Sequence, residues 1–376
     1  MKFSTSSASL RDAVNLVHGA TAAKNPLPIL DCILLERNAS RLRLTATDLR
    51  ITVTESIPVL YGEDTPERNS RIAVPARRFA DTLRALPDVP LSFESKDEFS
   101  ITLTTDHGSY TMVGYDGADY PALPDLSDCS QTTIDSALFR RIMTQAAFAV
   151  SKEEGRPAMK GVLFELDRAG GRAVTTDGHR LVRFSLDDLV ADEPMKFVLP
   201  PKALALASRG AVSGPCTVLS DGAHVCFESN NIRVLARIIT EPYPNYQAVI
   251  PKNNHRHLRV DRAQLLSAIQ RVALYSSTTT NQIQIAVSTN QMTISAEDLE
   301  RSSNAREVVV CEYTHEDLSM GYKGSYVLEV LKALDSQEVR IELGQPDRAA
   351  LLYPATQKSG EEIMVLLMPV MLSKYG

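Results

Sequence analysis

Tryptophan is absent from the 376 residues, and aromatic side chains make up only 6% of them. Stacking platforms for single-stranded nucleic acid are therefore poorly supplied. Basic charge is also in deficit: 40 Lys and Arg stand against 46 Asp and Glu, a net charge of −6. A general nucleic-acid coat needs an overall basic field and is excluded, although basic residues can still gather on one face. No run of about 18 apolar residues occurs, so no membrane-spanning helix is expected. The opening "MKFSTSSASLRDAV" lacks the apolar stretch of a signal peptide. Five cysteines (Cys32, Cys129, Cys216, Cys226 and Cys311) lie far apart without CxxC or CxxH spacing. No structural zinc is expected, and reduced thiols in a cytoplasm fit best. Phosphate-binding loops, nucleophile elbows, HExxH and GxGxxG are all missing. What remains, with 44% apolar and 23% charged residues, is an ordinary globular chain of two or three domains.

The chain repeats itself about every 125 residues. Tyr120-Pro121, Tyr243-Pro244 and Met368-Pro369 form one recurring set, and Asp48, Asp177 and Asp298 in "TATDL", "TTDGH" and "ISAEDL" form another. A third set is an apolar strand running into a helix: Pro75 in "IAVPARRF", Pro200 in "FVLPPKAL", and "GYKGSYVLEVLKAL". The fourth set is amphipathic helices with stripes at Leu10, Ala13, Val14 and Val17, at Phe139, Ile142, Met143 and Ala146, and at Leu266, Ile269, Val272 and Ala273. Ser9, Asp135 and Asp261 are expected at their starts. Strand-like alternation fills the rest, as in "ITVTESIPV", "NQIQIAVS" and "EVRIEL". The expected architecture is α+β: three similar domains, residues 1–128, 129–253 and 254–376, each of antiparallel sheet with two helices across one face.

The stretch "TTDGHRL" raises a catalytic reading, because Asp177 and His179 share one strand face. A hydrolase using these two residues is one alternative. Yet Asp-Gly between alternating apolar residues is first a hairpin turn, and second a binding surface. His255 and His257 have no third ligand nearby, so a solvated linker is the simpler reading. Basic residues gather on helices (Arg77, Arg78, Arg84, Arg140, Arg141, Lys202, Arg209, Arg271 and Lys332), while acidic runs such as "GEDTPE" and "ESKDE" lie in strands and loops. That division suits a protein that surrounds a polyanion without sticking to it. A β-rich structural protein without DNA is the other alternative.

"NPLPIL", "TATDL", "VPARRF", "KGVLFEL", "TDGHRL", "YPNYQAVIP", "SYVLEVLKAL" and "LLMPVML" run the length of the chain. Through them it resembles the bacterial sliding clamps, the beta subunits of DNA polymerase III. The resemblance implies the DNA clamp fold and a head-to-tail homodimer closing a six-domain ring on double-stranded DNA, without sequence preference. It implies no catalytic residues, no cofactor and no metal. The implied partners are DNA polymerase III and other polymerases, the clamp loader, and mismatch repair and ligase-type proteins, all docking by short peptides in one pocket. Carried onto this chain, the pocket takes Met159, Thr176, Gly178, His179, Arg180 and Leu181. Pro244 and Val249 join from the Tyr-Pro loop, and Leu366, Leu367, Met368, Pro369, Val370, Met371 and Leu372 from the C-terminal strand. Ala248 and Met371 stand where the family often has arginines. DNA contacts fall on Lys24, Arg77, Arg78, Arg141, Lys152, Arg156 and Lys202, with Pro157 and Ala158 where aromatic residues are known in the family. Tyr110 and Met112 are expected to meet Leu274 and Tyr275 across the dimer contact. The tail Ser373–Gly376 runs past the usual end and is expected to fray rather than cover the pocket.

Overall fold

A computed structural model describes residues 1–21, 27–38, 40–61, 71–210 and 214–371. One order of elements, a strand, a helix and three strands, recurs six times among them. The first run is β1 (Lys2–Ser6), α1 (Ser7–His18), β2 (Cys32–Asn38), β3 (Arg41–Thr47) and β4 (Ile51–Pro58), followed by the short β5 (Leu60–Tyr61). The second is β6 (Arg71–Pro75), α2 (Ala76–Ala85), β7 (Pro90–Ser95), β8 (Ser100–Thr105) and β9 (Gly108–Val113), with the short β10 (Tyr115–Asp116) after it. The third is β11 (Ser130–Asp135), α3 (Ser136–Ala146), β12 (Val162–Asp167), β13 (Gly170–Thr176) and β14 (Arg180–Leu186). The fourth is β15 (Met195–Leu199), α4 (Pro201–Gly210), β16 (Pro215–Ser220), β17 (His224–Ser229) and β18 (Ile232–Arg237). The fifth is β19 (Arg256–Asp261), α5 (Arg262–Ala273), β20 (Gln282–Ser288), β21 (Gln291–Asp298) and β22 (Ser303–Glu312). The sixth is β23 (Leu318–Lys323), α6 (Gly324–Ala333), β24 (Glu338–Leu343), β25 (Ala350–Pro354) and β26 (Glu361–Leu367). Each third of the chain is thus two such halves.

The halves of a third exchange their first strands. β1 pairs with β7 and β6 with β2; β11 pairs with β16 and β15 with β12; β19 pairs with β24 and β23 with β20. Two of these exchanges carry facing phenylalanines: Phe3 stacks on Phe93 with ring centres 4.7 Å apart, and Phe164 on Phe197 at 5.3 Å.

Two compact units result, one of residues 1–139 and 202–238, the other of 140–201 and 239–376. The first holds a five-stranded sheet, β5-β1-β7-β8-β9, and a nine-stranded sheet, β10-β6-β2-β3-β4-β18-β17-β16-β11. The second holds one sheet of twelve strands, β15-β12-β13-β14-β26-β25-β24-β19-β22-β21-β20-β23. The middle third is divided between the units because its third strands bond outward. β18 pairs with β4 from Ile51↔Ala236 to Glu55↔Ile232, and β14 pairs with β26 from Arg180↔Leu367 to Leu186↔Glu361. Glu55, at the first of these seams, has one carboxylate oxygen buried without a hydrogen-bond partner among the described residues.

The helices follow from capping and apolar spacing. Ser6, not Ser9, caps α1: its hydroxyl accepts from the Ser9 amide at 3.0 Å. Asp135 accepts from the amides of Ala137 and Leu138, and Asp261 from that of Gln264. The buried stripe of α5 runs through Leu265, Ala268, Ile269 and Val272, so Leu266, expected inside, lies at its edge. Acidic residues on the six helices are confined to Asp12, Asp81 and Glu329, and Lys and Arg outnumber them several-fold. The helices are thus basic although the chain as a whole has a net charge of −6.

Candidate functional site

The turn joining β13 to β14 is built by side chains gripping backbone. Thr176 Oγ1 donates to the Arg180 carbonyl at 2.8 Å and accepts from the Gly178 amide at 3.1 Å. Asp177 Oδ1 accepts from the amides of His179 and Arg180, each at 2.9 Å. Gly178 takes φ +88°, and a Cβ there would sit 2.6 Å from Arg156 Nη1, so only glycine fits without strain. The Asp177 carboxylate is engaged by two amides and by Arg180 Nε at 3.1 Å, not by the His179 imidazole. His179 is exposed, and its ring centre lies 6.0 Å from that of Tyr326 on α6. The catalytic pairing read from "TTDGH" is therefore not formed.

Arg180 ties this turn to its surroundings and is itself buried. Nη2 donates to the Phe148 carbonyl at 3.2 Å, and the guanidinium lies over the Tyr326 ring, 4.4 Å from its centre. Nη1 is 2.6 Å from Glu329 Oε2 but off the line of its N–H bonds, so that contact is ionic rather than a directed hydrogen bond. A buried guanidinium needs such compensation from every side.

Three further segments meet the turn or its strand. Beyond β26, the Met368 amide donates to the His179 carbonyl at 2.8 Å and the Val370 amide to Gly321 at 2.9 Å. Met368, Val370 and Met371 are exposed and Pro369 is half-buried. Leu366 and Leu367 are buried under the site with Leu181 and Thr176. Leu372 and the tail 373–376 lie outside the described residues, as does Lys24. The Tyr-Pro loop is anchored by Tyr246, whose hydroxyl donates to Glu165 Oε2 at 2.7 Å, and by Tyr243, which donates to the Val174 carbonyl at 3.3 Å. Burial drives the Tyr243 phenol well above its ordinary range. Both tyrosines pack on the core of Leu163, Val174, Leu181, Met364 and Leu366, while Pro244, Ala248 and Val249 stay exposed. Met159 completes the group: its terminal methyl would be 3.7 Å from a Cβ at Gly178.

The expected DNA residues divide. Arg77 and Arg78 on α2 are exposed, as is Lys152. Arg141 is half-buried in an ion pair with Glu361. Lys202 pairs with Asp48 at 2.9 Å and donates to the Thr21 carbonyl at 3.1 Å. Arg156 contacts Glu153 at 3.2 Å and the Asp177 carbonyl at 3.4 Å, so it braces the turn. Of the expected dimer residues, Tyr110, Leu274 and Tyr275 are exposed, but Met112 points into its own domain core. Its neighbour Val113 faces out on β9, as Val308 and Val310 do on β22. These three were legible only as alternation in "SYTMVGY" and "EVVV". Among the described residues no group of three His, Cys, Asp or Glu could hold a metal, and no helix is long and apolar enough to cross a membrane.

Comparison with known proteins gives a consistent picture. Residues 1–124, 133–245 and 247–370 match the N-terminal, central and C-terminal domains of the DNA polymerase III beta subunit. The beta sliding clamp of Pseudomonas putida is 25% identical over 99% of this chain and 100% of its own length. That of Escherichia coli K12 is 27% identical over 97% of this chain and 99% of its own. A crystal structure of the Pseudomonas aeruginosa DNA polymerase sliding clamp with a ligand superimposes with a TM-score of 0.91 at 26% identity, covering 99% of this chain and 100% of that one. A second from that organism, bound to griselimycin, also reaches 0.91 at 26%, with the same coverage. The chain belongs to the DNA polymerase III beta subunit family, and its function is that of a sliding clamp, a processivity factor rather than an enzyme.

Proposed function

We propose that two copies of this chain close head to tail into a ring that encircles duplex DNA, and that the site at β14 and β26 captures peptides from the proteins that work with it. One observation carries the ring. Third strands bond to third strands: β4 to β18, and β14 to β26. Two third strands are left over. β9 is the edge of its sheet, and β22, though bonded to β21, meets its other neighbour β19 at only two residue pairs. An exposed edge is a template for another strand. β9 of one copy against β22 of the next repeats the same junction, and doing so twice closes a two-fold ring of six domains, taken as residues 1–128, 129–253 and 254–376 of each copy. Tyr110 and Val113 on one side, and Val308, Val310, Leu274 and Tyr275 on the other, give that contact apolar surface.

The helices then supply a basic lining, with Arg77 and Arg78 exposed, Arg77 only loosely paired with Asp81 at 4.0 Å, and Lys24, Lys152 and the Asp48-paired Lys202 as further candidates for phosphate. Arg141 and Arg156 are committed to Glu361 and to the turn. A closed ring holds DNA by topology, so its phosphate contacts stay weak and non-specific. The peptide site joins exposed methionines, proline and valine to a rigid turn, a surface that repacks around different apolar anchors. Its partners are DNA polymerase III and other polymerases, the clamp loader, and mismatch repair and ligase-type proteins. Two structures of a sliding clamp from Pseudomonas aeruginosa hold a ligand and griselimycin respectively, which supports a small-molecule-sized pocket on this fold.

The test is sedimentation of the purified chain together with retention on DNA. A dimer at micromolar concentration, held on nicked circles after loading and lost when they are linearised, is the expected result. A strict monomer, or equal retention on both forms, overturns the ring.

A further inference from the structure

The seam between β4 and β18 is constructed like that between β14 and β26. Its turn uses the same grips: Thr47 Oγ1 donates to the Ile51 carbonyl at 3.1 Å, and Asp48 Oδ1 accepts from the amides of Arg50 and Ile51 at 3.0 and 2.8 Å. Its connecting segment also starts from a buried tyrosine, Tyr120, whose hydroxyl donates to the Cys32 carbonyl at 3.4 Å. Between turn and segment lies a cavity of about 90 Å³, walled by Thr47, Leu49, Leu123, Pro124 and Leu235, with Arg50 beside it.

Two features of this cavity point to a ligand. Leu49 takes φ +67°, the left-handed region that Gly178 occupies in the equivalent turn, yet the residue is 52% exposed. A non-glycine residue there is strained, and only about half of Leu49 is covered within this chain. The second feature is charge. Arg50 and Arg237 are neighbours, joined by an amide-to-carbonyl bond of 2.8 Å, and both are exposed with no carboxylate partner among the described residues. The nearby acids are engaged, Asp48 with Lys202 at 2.9 Å and Asp221 with the His224 ring at 3.4 Å. On a chain of net charge −6, two arginines without a carboxylate partner among the described residues, beside a hole walled by leucines and prolines as well as threonines and His224, select an anionic partner with an aliphatic side chain.

We propose that this cavity is a second peptide-docking site, taking one aliphatic side chain from an acidic segment of a partner protein. Leu49 covers the aliphatic group, and Arg50 and Arg237 pair with the flanking carboxylates. The assignment rests, through the shared construction, on reading the β14–β26 site as a peptide pocket.

The experiment is a calorimetric titration of the full chain with acetyl-Glu-Leu-Asp-Leu-Phe. The expected result is two peptides per chain. Arg50→Glu with Arg237→Glu weakens one class of site by about tenfold, in keeping with like charges opposed at an interface, and leaves the other within about twofold. Leu49→Gly, which suits the positive φ and so preserves the fold, weakens the same class. Met368→Ala removes only the other. A single class lost in Met368→Ala overturns the second site and leaves the first reading standing. A single class indifferent to Met368→Ala but lost on charge reversal upholds the second site and overturns the first. No binding at all overturns both.

Discussion

At the scale of single residues, the site depends on Gly178 and Arg180 more than on the histidine between them. Gly178→Ala forces a Cβ into the left-handed region and against Arg156. Its expected cost is about 1–2 kcal/mol, read as a lower urea midpoint at unchanged m-value. Met368→Ala should abolish saturable binding of a Gln-x-Leu-x-Phe peptide without changing the sedimentation of the chain. Persistence of that binding would remove Met368 from the site. Such residues were partly legible in advance. Asp177-Gly178 is a turn signal by local chemistry alone, since the carboxylate accepts from amides only two and three residues on. The burial of Arg180 was not legible, because Phe148, Tyr326 and Glu329, which compensate it, are remote in the chain. Met112, expected at a dimer contact, is buried, and its neighbour Val113 is exposed. Strand faces alternate every residue, so a slip of one exchanges the buried Met112 for the exposed Val113.

At the scale of elements, helices and strands were read well wherever their apolar period is clean, as in Glu338–Leu343. The doubling of each third was hidden, because halves share an order of elements rather than a set of residues. One Asp-turn, at Asp221, even falls in a different hairpin from those at Asp48 and Asp177. Strand neighbours more than a hundred residues apart, such as β4 and β18, leave no local trace. That seam has its own titration. Burial, followed by the nearby Asp12, pushes the Glu55 carboxyl up to about 7. A carboxyl whose pKa is raised on folding favours the fold when protonated. The stability is therefore present below the ordinary carboxylate pKa and is lost as pH rises through about 7. Glu55→Gln should raise stability at pH 8 by on the order of 1–2 kcal/mol, after allowance for partial solvent exposure, and change it little at pH 4. Equal gains at both pH values would show that the carboxyl does not titrate across this range.

At the scale of the whole molecule, the relevant quantities are the free edges and the charge of the helices. Val310→Glu places a charge on β22 where a second copy is proposed to add a strand. The expected result is a monomer by sedimentation with an unaltered melting profile of the single chain, and a persistent dimer would move the contact elsewhere. Retention on circular DNA should change little between 50 and 200 mM salt. A protein held by six to ten phosphate contacts would lose about 10³–10⁵ in affinity over that range. A loss of that size would show that charge rather than closure does the holding. A net negative chain was a poor signal for a DNA-associated protein, and it misled only while charge was summed over the molecule rather than sorted by element.

The exchange of first strands has a consequence for how the chain comes to fold. β1 has its main partner about ninety residues downstream, in β7. The first half of a third therefore emerges from the ribosome with one strand unplaced, and its sheet can close only when the second half has followed. Non-local pairings of this kind carry the loop-closure entropy that slows folding, and domains generally fold as units, the N-terminal one first, during synthesis. The smallest piece able to fold is accordingly the pair of halves. A chain stalled inside a third would expose β2 without its neighbour β6, and a chain stalled at the end of one would not.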